Sequence, residues 1–300
     1  MENHNLERYI MFMHNNRLTR VVIRLFIGAI VIAFVLLGEY AIHRYSSNRS
    51  VIFRTEGSRI EVYRNKEWQN FIISGVKIEA EKLAGMGISA NATKDEYSRR
   101  LKELAGMKVN VISLNTVLPP AFYQTFYEYN LLTDKPLYLL QGICLPDNPA
   151  GAYHNAFDDD LNLLFFDEIR RTIDIVHGKH GSGVYSHDVS PYVIGYVLGE
   201  GTDAELVVAT NERNPNVMDF EGDYLYTVNA SPYESWLAAV GNYVISYEQD
   251  RYGGASRLVS WNTGSGFDQI KITEKFDAGI LAFVHLRNTF SDYYYSEVRK

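Results

Sequence analysis

Hydrophobic and polar positions change period along the chain, and each period predicts a different element. From Val21 to Ile42 apolar residues are nearly continuous, with no polar stripe at helical spacing. Roughly 20 such residues span a bilayer core, so this run predicts one membrane-spanning helix. Arg24 and Glu39 stand near its ends, where long side chains reach the interface. No small-residue cleavage site follows it, since the chain continues Glu39-Tyr40-Ala41-Ile42-His43-Arg44, and the run therefore reads as an uncleaved signal-anchor.

From Val51 the period shortens to two. Val51-Ile52-Phe53 and Ile60-Glu61-Val62-Tyr63, separated by Glu56-Gly57-Ser58, predict a small hairpin, and Asn65-Lys66-Glu67 a second turn. Phe71 to Ile78 then reads as the first buried strand. Thr93-Lys94-Asp95-Glu96 opens a helix with a capping box, and Tyr97, Leu101 and Leu104 fall on one side of it.

The alternation continues with strands at Val109–Leu114, Pro136–Gln141, Val193–Leu198, Arg257–Trp261 and Ile280–His285. Helices at Pro120–Tyr129, Asp159–His177 and Pro232–Tyr247 separate them. Strands alternating with helices imply a parallel sheet in an α/β domain. This many units favours a (β/α)8 TIM-barrel-like fold, with about six of the eight strands present.

The expected organisation is a cytoplasmic leader over 1–20, the anchor over 21–42, a linker and hairpin over 43–69, and the barrel over 70–300. The tail after His285 reads as too short for two more strand and helix units. The closing strands are therefore expected to be missing, with an unpaired edge on strand six. Arg8, Arg17, Arg20 and Arg24 before the anchor nearly balance Arg44, Arg49, Arg54 and Arg59 after it. The short leader needs no translocation and a long domain crosses largely regardless of charge, so the domain is expected outside the cytoplasm.

Composition narrows the partners. The formal net charge of −7 lacks the basic excess a nucleic-acid partner would need. The single cysteine, Cys144, precludes an intramolecular disulfide and leaves the redox compartment open. Twenty-two tyrosines offer flat, polar-edged faces of the kind that suit sugar rings, although such residues also fill ordinary cores. No Gly-x-Gly-x-x-Gly or Walker loop follows a strand, so no nucleotide cofactor is expected.

In a barrel the chemistry gathers at the carboxyl ends of the strands. That rule selects Glu79 and Glu81, Asn115, Gln141, Glu200 and Asp203, Trp261 and Asn262, and His285. Trp261 reads as either a sugar-stacking platform or a residue packed beneath a loop, and His285 as either a ligand to a sugar hydroxyl or a structural donor. His177, His180, His187 and Asp188 match no common zinc spacing, so no metal is expected there. Asp158-Asp159-Asp160 lacks the spaced oxygens of a calcium loop and reads as a helix N-terminus.

Several stretches carry a resemblance. Ile60 to Val76 resembles the opening of cellulase-type glycoside hydrolase barrels. Leu118–Tyr123, Pro136–Gly142, Val189–Gly199, Thr210-Asn211-Glu212 and Ala230–Ala238 resemble membrane-tethered bacterial TIM-barrel proteins related to those (clan A) hydrolases. The likeness runs over about residues 60 to 295 and bears on the fold more than on the reaction.

The resemblance implies a Glu at the end of strand four as general acid/base and a second, late carboxylate as nucleophile. Glu200 is the nearest match to the first, although the family pattern puts the Glu where this chain has Gly201. Strand two offers Ser113 where such barrels carry Arg, and Arg287 follows His285 where an aromatic is expected. Asn115, Gln141, Trp261, Asn262 and His285 are the expected substrate-binding residues, and neither Asp292 nor Glu297 follows a buried strand. The function expected is a membrane-anchored, extracytoplasmic module acting on or binding oligo- or polysaccharide. The alternative is a non-catalytic carbohydrate-binding or scaffold module serving a polysaccharide-synthesis glycosyltransferase.

Overall fold

The computed structural model describes residues 24–33, 52–57, 59–80, 92–146, 154–200, 202–262, 267–281 and 290–292. Two compact units divide the chain, residues 1–49 and 50–300. In the first, residues 24–33 are helical, and Leu25, Phe26, Ile27, Val31 and Ile32 are exposed. No helix among the described residues is long and apolar enough to cross a membrane, and most of the expected span, Val21 to Ile42, lies outside them.

The second unit begins with the hairpin that the two-residue period predicts. β1 (Ile52–Glu56) pairs antiparallel with β2 (Arg59–Arg64), and β2 with β3 (Glu67–Asn70). Asn65 and Lys66 turn the second corner with positive φ, as a tight hairpin whose twist matches its strands requires. β3 is a correction to the expected run, since the first buried strand is only β4 (Gly75–Ile78).

A parallel sheet follows, in the order β11 (Phe290–Asp292), β4, β5 (Val111–Leu114), β6 (Tyr138–Cys144), β7 (Val193–Glu200) and β9 (Leu258–Trp261). Its helical crossovers are α1 (Lys94–Gly106), α2 (Pro120–Leu131), α3 (Asp159–Val176) and α5 (Pro232–Tyr252). Capping explains where they begin. Thr93 and Glu96 form the expected capping box, Asp158 accepts from the amides of Asp160 and Leu161, and Ser231 with Glu234 repeats the capping box ahead of α5.

Strand register sorts the side chains into two faces, because neighbours in a parallel ladder point the same way. Gln141, Tyr196 and Trp261 lie on the helix face. Tyr123 of α2 donates to Gln141, Tyr196 donates to Glu248 of α5, and Trp261 donates to the Leu237 carbonyl of α5. On the opposite, inner face stand Lys77, Ser113, Leu140, Val197 and Ser260. The aromatic cluster of Phe53, Phe71 and Tyr138 covers its amino end, with ring centroids 5.1 to 5.6 Å apart.

One feature departs from the sequence expectation. The tail does contain a strand: β11 runs parallel to β4, with Phe290, Ser291 and Asp292 opposite Gly75, Val76 and Lys77. Asp292 therefore lies on a strand of the sheet, where none was expected. Of expected strand six, Ile280 bridges Val259 in parallel and residues 282–285 lie outside the described residues, and no ring of hydrogen-bonded strands closes among the described residues. The described residues form a mixed α/β unit built on a parallel sheet.

An excursion after β7 was also not expected. It holds α4 (Ala204–Arg213) and β8 (Leu225–Thr227), and β8 pairs antiparallel with β10 (Ile270–Ile272) from the segment after β9. Both segments leave from carboxyl ends of parallel strands, so this small sheet belongs to the same end of the domain.

Candidate functional site

The inner face becomes polar toward the carboxyl ends of its strands. Parallel strands covered on both sides read as continuous apolar runs, so polar positions here depart from what packing alone selects. One row across the sheet carries Lys77 and Ser113. Gly142, Val197 and Ser260 pair across the sheet one step further on, Glu79 and Asn115 follow the ends of β4 and β5, and the backbone of Cys144 pairs with that of Glu200.

The contacts within this surface are short. Lys77 Nζ stands 3.5 Å from a Glu79 oxygen, and both side chains are partly exposed. Asn115 Oδ1 accepts from the Ala80 amide at 3.0 Å. Cys144 Sγ donates to the Asn115 carbonyl at 3.2 Å, and Ser260 Oγ donates to the Leu281 carbonyl at 2.6 Å.

Glu200 owes its row to a break in the ladder. Leu198 pairs with Ile143, but the next pair is Glu200 with Cys144, so two residues of β7 stand against one step of β6. The inserted residue is Gly199, whose φ of 74° suits a residue without Cβ. Strict alternation would put position 200 in line with Leu198, on the helix face. The bulge returns position 200 to the row of Cys144. A tight turn follows, in which the Thr202 amide and hydroxyl both donate to the Gly199 carbonyl, at 3.1 and 2.7 Å. Asp203 then caps α4.

The other expected residues fall in three places. Asn115 lies on the inner face, and Asn262, whose amide donates to the Leu198 carbonyl at 2.8 Å, follows β9 on the same side. Gln141 and Trp261 are fully buried on the helix face. Gln141 Oε1 accepts from Tyr123 at 2.8 Å, while burial drives the Tyr123 hydroxyl far above the ordinary tyrosine range. The Trp261 ring lies 5.1 Å from Phe267 and against Gly241, where a Cβ would come within 2.7 Å of it. Of the two readings open for Trp261, the structure adopts the packed one. His285 and Glu81 lie outside the described residues.

Lys77 and Ser260 escaped selection from sequence. Their signal was an isolated polar residue inside an apolar run, Val76-Lys77-Ile78 and Val259-Ser260-Trp261, which the rule of looking only after each strand passes over.

A second polar cluster sits near the opposite end of the domain. Glu248 Oε1 accepts from His177 Nε2 at 2.8 Å, the Tyr196 hydroxyl at 2.7 Å and Arg257 at 2.6 Å, all buried or nearly so. Burial pushes the Glu248 carboxyl up, but the guanidinium and the hydrogen bonds outweigh it and hold the group below the usual carboxylate range. Tyr252 stacks on His177 with ring centroids 3.8 Å apart. His177, Arg257 and the final turn of α5 lie at the amino end of the parallel strands, where structural networks belong.

No protein-family model matches the chain, and no curated protein matches it. Among the described residues, no group of three or more histidine, cysteine or acidic side chains is disposed to hold a metal ion.

Proposed function

We propose that the domain is a glycoside-hydrolase-like (β/α) barrel, tethered to a membrane by the apolar segment at 21–42, that holds an extracytoplasmic oligo- or polysaccharide at the carboxyl ends of its strands. The observation that carries this reading is the bulge at Gly199, which brings position 200 into line with the polar inner row of the sheet. The sequential order of the parallel strands suits a barrel, whereas a doubly wound sheet reverses its strand order part-way. Glu200 is the general acid/base of this reading, with Asn115 and Asn262 as hydrogen-bonding groups for sugar hydroxyls.

Retaining hydrolysis needs one carboxyl to protonate the leaving oxygen while another attacks the anomeric carbon. A second reading keeps the glycan and drops the chemistry, as a binding or scaffold module beside a polysaccharide-synthesis glycosyltransferase. It is favoured by the loss of Trp261 and Gln141 to the helix layer, which removes two expected sugar contacts.

Reducing-sugar release and calorimetric binding, measured on the full chain with a panel of β-linked glycans, separate the readings. Turnover that disappears in Glu200→Gln while binding persists supports the hydrolase. Binding without turnover supports the scaffold, and no binding to any glycan rejects both. Protease added to intact cells should digest the domain and spare the leader, and full protection would reverse the orientation.

A further inference from the structure

The three-stranded sheet of β1, β2 and β3 packs one face and turns the other outward. Phe53, Ile60 and Val62 are buried in the core, so alternation turns Arg54, Glu61 and Tyr63 away from it. Trp68 stands opposite Tyr63 in the ladder and shares that outward face. The alternation continues past β3, where Phe71 and Ile73 pack against the core and Ile72 is 76% exposed. The solvated face of an antiparallel sheet normally reads polar. This one carries Tyr63, Trp68 and Ile72.

Its side chains form one connected group. Tyr63, 40% exposed, holds its ring 5.3 Å from that of Trp68. The Arg54 guanidinium lies 4.1 Å from the centroid of the Trp68 ring and donates to one Glu61 oxygen from two nitrogens, at 2.9 and 2.8 Å. The charges of Arg54 and Glu61 cancel, which leaves the pair no preference for an ionic partner. Indole and phenol rings, and a guanidinium on an apolar stem, are groups that settle at a membrane–water boundary, with the apolar body toward the acyl chains and the polar edge toward the headgroups.

The course of the sequence argues for lipid as the occupant. The apolar run at 21–42 ends ten residues before β1 begins at Ile52, and ten residues extend at most about 35 Å. The outward face therefore belongs to the part of the domain tied most closely to that run.

We propose that the outward face of β1, β2 and β3 is a lipid-contacting surface, with Tyr63, Trp68 and Ile72 seated among the headgroups of the bilayer. This rests on the reading of 21–42 as a membrane span. Phe53, Phe71 and Tyr138 join the hairpin to the amino end of the parallel strands, so that end of the sheet is the one nearer the lipid.

Tryptophan emission reads the contact. The chain holds three tryptophans, of which Trp236 and Trp261 are buried and Trp68 is partly exposed. The full chain is reconstituted in phosphatidylcholine vesicles with ordinary or brominated acyl chains and floated on a density gradient. Wild-type protein should float, and its emission should fall in the brominated vesicles. Trp68→Phe should float without that loss, its buried tryptophans reporting an intact fold. Ile72→Glu, a change at an exposed position, should keep the wild-type melting temperature and lose most of the quenching. Floating wild-type protein whose emission is unchanged by brominated lipid, or Ile72→Glu quenched as strongly as wild type, would overturn the contact and leave the anchor standing. Protein that does not float overturns both. Shielding of Trp68 from acrylamide by a soluble β-linked oligosaccharide, and not by vesicles, would overturn the lipid contact in favour of a glycan platform.

Discussion

Trp261→Ala distinguishes a packed tryptophan from a sugar platform, and the structure sets the size of the effect. The ring has no solvent exposure, touches Phe267, abuts α5 at Gly241, and donates to the Leu237 carbonyl at 3.2 Å. Burying a side chain of about 200 Å² at about 25 cal/mol per Å² gives an upper figure near 5 kcal/mol. Measured losses for Trp→Ala in cores run at about 3–5 kcal/mol, because the surroundings collapse only in part. A loss of about 4 kcal/mol is therefore expected. With a urea slope of about 2.5 kcal/mol/M, the unfolding midpoint should drop by roughly 1.6 M. Urea titration followed by far-UV circular dichroism reads this directly, and oligosaccharide affinity measured on the folded fraction should be unchanged. A midpoint that moves by less than about 0.4 M, together with weakened binding, would refute the placement of this ring in the helix layer.

Three further outcomes follow from the packing. Glu248→Gln should cost about 3 kcal/mol at pH 7, because it leaves the buried Arg257 guanidinium without its counter-charge. The native Glu248 carboxyl titrates below its unfolded value, so its stabilisation is complete above about pH 5 and is lost as the pH falls through the native value. The gap between wild type and variant should then narrow in acid, and a constant gap down to pH 3 would contradict this. Gly142→Ala should destabilise by about 3 kcal/mol, since the new Cβ would lie 2.3 Å from the Leu114 carbonyl oxygen. Gly106→Ala, with nothing within 4 Å, should instead stabilise α1 by about 0.5–1 kcal/mol, and thermal melts of both variants check the contrast.

Elements governed by neighbours a few residues away were legible in the sequence. The hairpin of β1 and β2, the capping box at Thr93, the Asp158 cap and strands β4, β5, β6, β7 and β9 each rest on local period or local hydrogen bonds. Partners remote in sequence decided the rest. β11 is a strand because it meets β4, more than 200 residues earlier in the chain, and a three-residue run shows no period of its own. Trp261 and Gln141 follow strict alternation, yet only the arrival of α5 and α2 determines that their face is the covered one. Glu200 is the reverse case, since alternation assigns it the helix face and one inserted glycine undoes that. A strand's period is two, so a single extra residue exchanges the faces of everything after it. Whether position 199 lies inside the ladder or bulges from it is settled by how β7 meets β6, a contact between residues more than 50 apart.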